Sequence, residues 1–181
     1  MKRFAILLAL ALPFTAAATD YAVQAASSTL GFSNTFQGES FNGTFGQWHA
    51  AISYDKANLA SSKFEVEVNL ASVKTGDSDR DGALPGKDFF DVAKFPKAHF
   101  VTTSFHQNGD KIIADGELTL HGVTRPVSLQ VTFKPQAGGA TLEVCGTVKR
   151  LDFGIGTGDY ADTSVIGGDV KISAHLQLTA K

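Results

Sequence analysis

A period of two in the apolar residues limits what this chain can fold into. In "DVKISAHLQLT" (169–179), Val170, Ile172, Ala174, Leu176 and Leu178 alternate with Lys171, Ser173, His175, Gln177 and Thr179. "KFEVEVNL" (63–70) repeats the pattern with Phe64, Val66, Val68 and Leu70, and "PVSLQVTFK" (126–134) with Val127, Leu129, Val131 and Phe133. Neighbouring side chains on a strand point to opposite faces, so each run is a strand with one dry and one wet face, as in antiparallel sheets. Weaker alternation places a strand around Leu30, Phe32 and Phe36, others over 43–54, 98–107, 111–121 and 141–150, and a short leading strand over 20–24. Turn residues separate them at Gln37-Gly38, 55–58, Asn108-Gly109-Asp110, His121-Gly122 and 136–139.

Eight such strands, with hardly any helix to cover them, must pack as two sheets or close on themselves. Their length and the glycines within them (Gly31, Gly43, Gly46, Gly116, Gly146) favour an all-β, eight-stranded antiparallel barrel, because a glycine inside a strand often marks a sharp bend. A barrel of this size has an interior that side chains fill or that one slender ligand occupies. The period does not choose between these. The proposed inner faces of Val, Ile, Leu, Ala and Phe, without tryptophan, lean toward a cavity. The candidate lining is Phe32, Phe64, Val66, Val68, Val127, Leu129, Val131, Phe133, Ile172 and Leu176, with Phe89, Phe90 and Phe100 toward one end.

The first eighteen residues stand apart. Lys2 and Arg3, an apolar run from Phe4 to Leu12 and the small residues Ala16-Ala17-Ala18 form a secretory signal peptide, leaving a domain over 19–181. The expected location is the bacterial periplasm. With net charge −2 before that basic start is removed, the chain is a poor match for nucleic acid or an anionic membrane surface. Cys145 is the only cysteine, so no internal disulfide forms and burial alone must hold the core.

The alternation stops over 72–96, between the third and fourth long strands, a connection too long to be a turn. Asp88 and Asp91 suggest a capped short helix ended by Pro96, with Phe89, Phe90 and Val92 seeking an apolar surface. The open end of the barrel is the nearest one, so the segment reads as a short helical lid. Its aromatics either plug the mouth or complete the core there. "DSDRDGALPGKD" (77–88) also matches part of a calcium loop through Asp77, Asp79 and Asp81, with Asp88 where a bidentate Glu is expected and Pro85 interrupting it. A solvated acidic turn is the stronger reading, so neither metal nor other cofactor is expected. No pair of histidines has metal spacing, and the chain lacks a G-x-S-x-G elbow and a P-loop, so a binding protein is expected rather than an enzyme. Arg125, at the turn into the sixth strand, is the candidate for a ligand's head group, or else a solvated rim residue.

In order along the chain, "SVKTG" (72–76), Arg80-Asp81, "DFFDVAKFPKAHF" (88–100), "GELTLHGVTRPVSLQV" (116–131) and "DFGIG" (152–156) resemble the YceI-like family of bacterial periplasmic proteins. The resemblance spans essentially all of the chain beyond the signal peptide. It implies a lipocalin-like barrel whose elongated apolar cavity binds polyisoprenoid chains, including isoprenoid quinones, in proteins that are usually homodimers. The function it implies is a soluble carrier of a long-chain polyisoprenoid lipid. The alternatives are a module presenting a quinone to a membrane cytochrome, and a stress-response barrel without a transported ligand.

Overall fold

The computed structural model describes residues 18–181; the signal-peptide assignment falls almost wholly outside them. Eleven strands form one antiparallel sheet: β1 (Thr19–Val23), β2 (Thr29–Phe36), β3 (Glu39–Phe45), β4 (Trp48–Tyr54), β5 (Lys63–Asn69), β6 (Val73–Lys74), β7 (Lys97–Asn108), β8 (Lys111–Leu120), β9 (Val123–Gln136), β10 (Gly139–Lys149) and β11 (Asp169–Ala180). Eight of them, in the order β1-β4-β5-β7-β8-β9-β10-β11, close into a barrel where β11 pairs back onto β1. Hairpins join β7 through β11 in sequence except for one long connection, residues 150–168.

The closing seam is divided. The free edge of β11 pairs with β1 at one end, Leu178 opposite Val23, and with β2 at the other, Ile172 opposite Phe32. β1 and β2 are thus two halves of one bent edge, separated by a single turn at Ala25–Ser27. The backbone groups freed by the break find partners: the Gln177 amide donates to Ser28 Oγ at 2.9 Å, and the Gln24 amide to the Gln177 carbonyl at 2.8 Å. The expected second strand is likewise broken, at Gly46-Gln47 between β3 and β4, and begins earlier, at Glu39. The β2–β3 turn, Gln37-Gly38, has φ of 52° and 84°. Two successive positive φ angles give the mirror-image turn whose twist suits a two-residue hairpin.

The inward side chains form two clusters. At the hairpin end, Tyr54 stacks on Phe133 with centroids 4.5 Å apart, Phe64 meets Phe105 edge-on at 4.9 Å, and Tyr21 leans on Phe133 at 5.4 Å. Leu142, Leu176 and Leu178 fill the space between, and this end of the barrel is packed solid. Burial pushes the Tyr54 hydroxyl pKa upward. The second cluster, at the other end, includes Phe32, Val68, Leu70, Phe90, Val148, Phe153 and Ile155.

The lid differs from its expected form. Its helix, α1, is Ser78–Ala83, ten residues ahead of the proposed Asp88 start. Asp77 is the cap, accepting the Arg80 amide at 2.9 Å, and Asp79 and Asp81 lie in the first turn, where the helix dipole favours negative charge. Residues 84–95 are turns instead, with Asp91 at φ 45°, which removes the proposed Asp88–Asp91 capping box. Pro85 explains the shift: it ends the helix that Asp77 starts.

The two ends should respond differently to truncation. Phe105→Ala, in the packed end, is expected to lose about 3–5 kcal/mol of unfolding free energy in urea. Leu118→Ala, whose side chain borders empty space, should lose clearly less, because few packing partners are left behind.

Candidate functional site

Above the packed end the barrel is hollow. A cavity of about 550 Å³ lies inside the wall, within the range of pockets that enclose small ligands. Its floor is Ile52, Phe64, Leu142 and Leu176; its sides include Leu30, Phe32, Trp48, Ala50, Val66, Val68, Phe100, Leu118, Val127, Leu129, Val144, Val170, Ile172 and Ala174. These are inward-facing strand positions, so the alternation that closes the barrel also makes its bore apolar. The cavity runs along β11 from Val170 to Leu176, roughly 20 Å of strand.

Two crossing segments frame the mouth. One is α1 with the turns after it, supplying Asp77, Asp79, Arg80, Leu84, Phe89 and Phe90; the other is 150–168, supplying Arg150, Ile155, Tyr160 and Ile166. Phe90 is buried beside Phe45 at 6.2 Å, and Phe89 packs on Tyr160 at 5.1 Å. The Gly156 amide donates to the Asp88 carbonyl at 2.7 Å, joining the segments to each other. Phe36 and Tyr160 border both cavity and solvent, at 42% and 43% exposed. Arg80 stacks over the Phe41 ring at 4.0 Å, holding α1 to the β2–β3 hairpin.

Of the sequence-derived lining, Phe32, Phe64, Val66, Val68, Phe89, Phe90, Phe100, Val127, Leu129, Ile172 and Leu176 come together around this cavity. Val131 and Phe133 do not; they belong to the packed end, too far down β9. Arg125 does not reach the cavity either: it is exposed, and its Nε donates to the Asp152 carbonyl at 3.4 Å. Trp48 lies in the wall, contrary to the expectation of inner faces without tryptophan. Of the calcium-loop residues, Asp77 caps α1, Asp81 accepts hydrogen bonds from Thr75, and Asp88 follows the end of the helix. Among the described residues, no group of three or more His, Cys, Asp or Glu could hold a metal ion.

Arg150 is the polar residue that sequence reasoning missed. It is 3% exposed and lines the cavity. Its five N–H groups all donate to backbone carbonyls: Nε to Gly167 at 3.1 Å, Nη1 to Ile155 at 3.0 Å and to Gly156, Nη2 to Tyr160 at 2.8 Å and to Ile166 at 2.9 Å. Among the described residues no carboxylate pairs with it. Burial lowers its pKa from the usual guanidinium value. The side chain shapes 155–167 into a fixed wall and places a positive charge beside the apolar space. A saturated fork of donors is readable only after folding, because its partners are main-chain atoms.

Asp81 anchors the other segment. Its carboxylate accepts the Thr75 amide at 2.6 Å and the Thr75 hydroxyl at 2.8 Å. The Thr75 hydroxyl first, then its amide with Lys74 and Arg80, holds this carboxyl below the ordinary aspartate pKa. His121 sits in the β8–β9 turn, the strand separation expected at His121-Gly122, with Nδ1 3.1 Å from the Phe153 carbonyl and its ring 5.0 Å from Phe95.

A closed antiparallel barrel, packed at one end and hollow and apolar at the other, is a barrel of the lipocalin-like class. The model of the YceI-like domain matches residues 21–178, and the chain belongs to that family. A UPF0312 protein of Pseudomonas syringae pv. syringae is 38% identical over 159 residues, covering 82% of this chain and 83% of the relative. The crystal structure of Burkholderia cenocepacia BcnA superposes with a TM-score of 0.82 at 29% identity, covering 86% of this chain and 99% of that one. A polyisoprenoid binding domain from Saccharophagus degradans, implicated in plant cell wall breakdown, shares the fold with a TM-score of 0.67 at 18% identity, covering 91% of this chain and 99% of that one.

Two substitutions probe the mouth. Arg150→Met leaves five carbonyls without their donor and is expected to cost about 3 kcal/mol or more in urea unfolding. Arg150→Lys should recover only part of this, because three donors on a flexible stem do not reproduce a planar fork. Because the Asp81 carboxyl pKa is lowered by folding, its contribution to stability is present at neutral pH. It is lost as pH falls below the ordinary aspartate value and through the folded one. Melting of wild type and Asp81→Asn between pH 7 and pH 3 checks this: the variant should be less stable at neutral pH, and the gap should narrow in acid.

Proposed function

We propose that the protein is a soluble periplasmic carrier that binds a long-chain polyisoprenoid lipid in the hollow half of its barrel. The supporting observation is the bore itself, about 550 Å³ of space walled almost wholly by aliphatic and aromatic side chains. Membership of the YceI-like family supports the same reading, as does a fold shared with a domain named for polyisoprenoid binding. The driving force is transfer of hydrocarbon out of water, about 0.8 kcal/mol for each buried CH₂. A tail of several isoprene units gains on the order of 10 kcal/mol before the cost of ordering it. Affinity then resides in the tail, and the head group stays near the mouth, among Asn34, Arg80 and Tyr160. The role is binding, not catalysis. An isoprenoid quinone satisfies the same requirement, with its ring at the mouth.

Protein purified from a periplasmic extract of its native host, extracted with organic solvent and analysed by mass spectrometry, should release a polyisoprenoid in near-stoichiometric amount. A straight-chain lipid alone, or no lipid, would refute the proposal. Ala174→Trp, filling the bore from β11, should fold yet carry none of it.

A further inference from the structure

The width of the bore is set by glycines that give large side chains somewhere to lie. Across one row of the wall the inward positions are Leu129, Gly146, Ile172, Phe32 and Gly43. Gly146 is opposite Ile172, Ile172 opposite Phe32, and Phe32 opposite Gly43; Leu129 follows one step past the last β9–β10 pair, Cys145 with Gln130. Each of the two glycines stands next to a large side chain, Gly146 beside Leu129 and Gly43 beside Phe32. A Cβ placed on Gly43 would come within 3.0 Å of the Phe32 ring, and one on Gly146 within 3.0 Å of a Leu129 methyl. Phe32 and Leu129 therefore each reach over the neighbouring glycine's bare backbone, against the wall.

The Phe32 ring has no room to slide along β3 if that berth is filled. Phe41 and Phe45, two residues to either side of Gly43, stand at 6.3 Å and 5.6 Å from it. The ring borders the free space of the cavity. Leu129 is held in the same way, since Val144 and Val148 flank Gly146 on the inner face of β10. We infer that Gly43 and Gly146 keep the bore wide enough for its ligand by berthing Phe32 and Leu129 against the wall. The inference rests on the lipid-carrier reading above.

The test uses full-length mature protein stripped of lipid, with the fluorescent apolar probe N-phenylnaphthylamine and farnesol as competitor. Gly43→Ala is expected to weaken probe and farnesol binding at least about tenfold, with an unchanged far-UV circular dichroism spectrum. The pair Phe32→Val with Gly43→Ala should bind within about twofold of wild type, because the displaced ring is gone. A glycine needed for its backbone conformation alone would not be rescued by shortening Phe32, and equal urea unfolding midpoints of single variant and wild type would separate a blocked bore from a weakened fold. If Gly43→Ala does not fold, Gly146→Ala alone and with Leu129→Ala poses the same question, and its added Cβ meets chiefly a flexible side chain. Unchanged binding in the single variant, or equal loss in single and double variants, overturns the inference and leaves the carrier reading standing. Failure of wild type to bind either compound overturns both.

Discussion

Closure of the sheet is the constraint on which everything else depends. Each long strand has one apolar face, and among the described residues the α-helix α1, six residues long, is too short to cover it. Pairing β11 with β1 turns every inner face toward the others and leaves the barrel without a long open edge. The seam is where this is hardest to achieve, because the edge of β11 serves two partners, β1 and β2. Ser28 and Gln24 pair with the amide and the carbonyl of Gln177, opposite the break between them. Among the described residues no buried side-chain nitrogen or oxygen lacks a partner.

Closure alone would give either a solid or a hollow barrel. Here the two halves are built from different residues. Rings at the hairpin end (Tyr21, Tyr54, Phe64, Phe105 and Phe133) meet across the axis and fill it. Toward the other end the inward residues are mostly aliphatic, and two of the large ones, Phe32 and Phe100, lie over Gly43 and Gly116. The packed half supplies stability, so the hollow half can tolerate space that a close-packed interior would exclude. Stability and binding capacity are thereby separated along one axis.

The mouth is organised by two charged residues doing different work. Arg150 donates to five carbonyls and makes a wall of the 150–168 segment, and Asp81 ties α1 back to Thr75. Their partners explain the difference in exposure. A buried cation is tolerable where every donor is satisfied, whereas Asp81 sits near solvent beside Lys74.

The alternation of Phe64-Val66-Val68, of Val127-Leu129 and of Ile172-Leu176 determined the strands, their inner faces and, by count and length, the barrel. Alternation is local chemistry, so it is legible residue by residue. It was faint over 98–107 because a bulge at Thr102–Ser104 shifts the register and re-aims Phe105 inward. How far down the axis each inner residue lies is not local. Val131 and Phe133 share a face with Leu129, yet only Leu129 reaches the cavity, because depth follows from strand stagger around the closed ring. The lid was legible as an interruption of the pattern, whereas its helix followed the stronger cap at Asp77 over the one proposed at Asp88. The sequence by itself determined a one-sided sheet that had to close. Only the tertiary structure decided which half is hollow, and that Arg150, a cation in an unremarkable loop, walls its mouth through main-chain atoms no motif encodes.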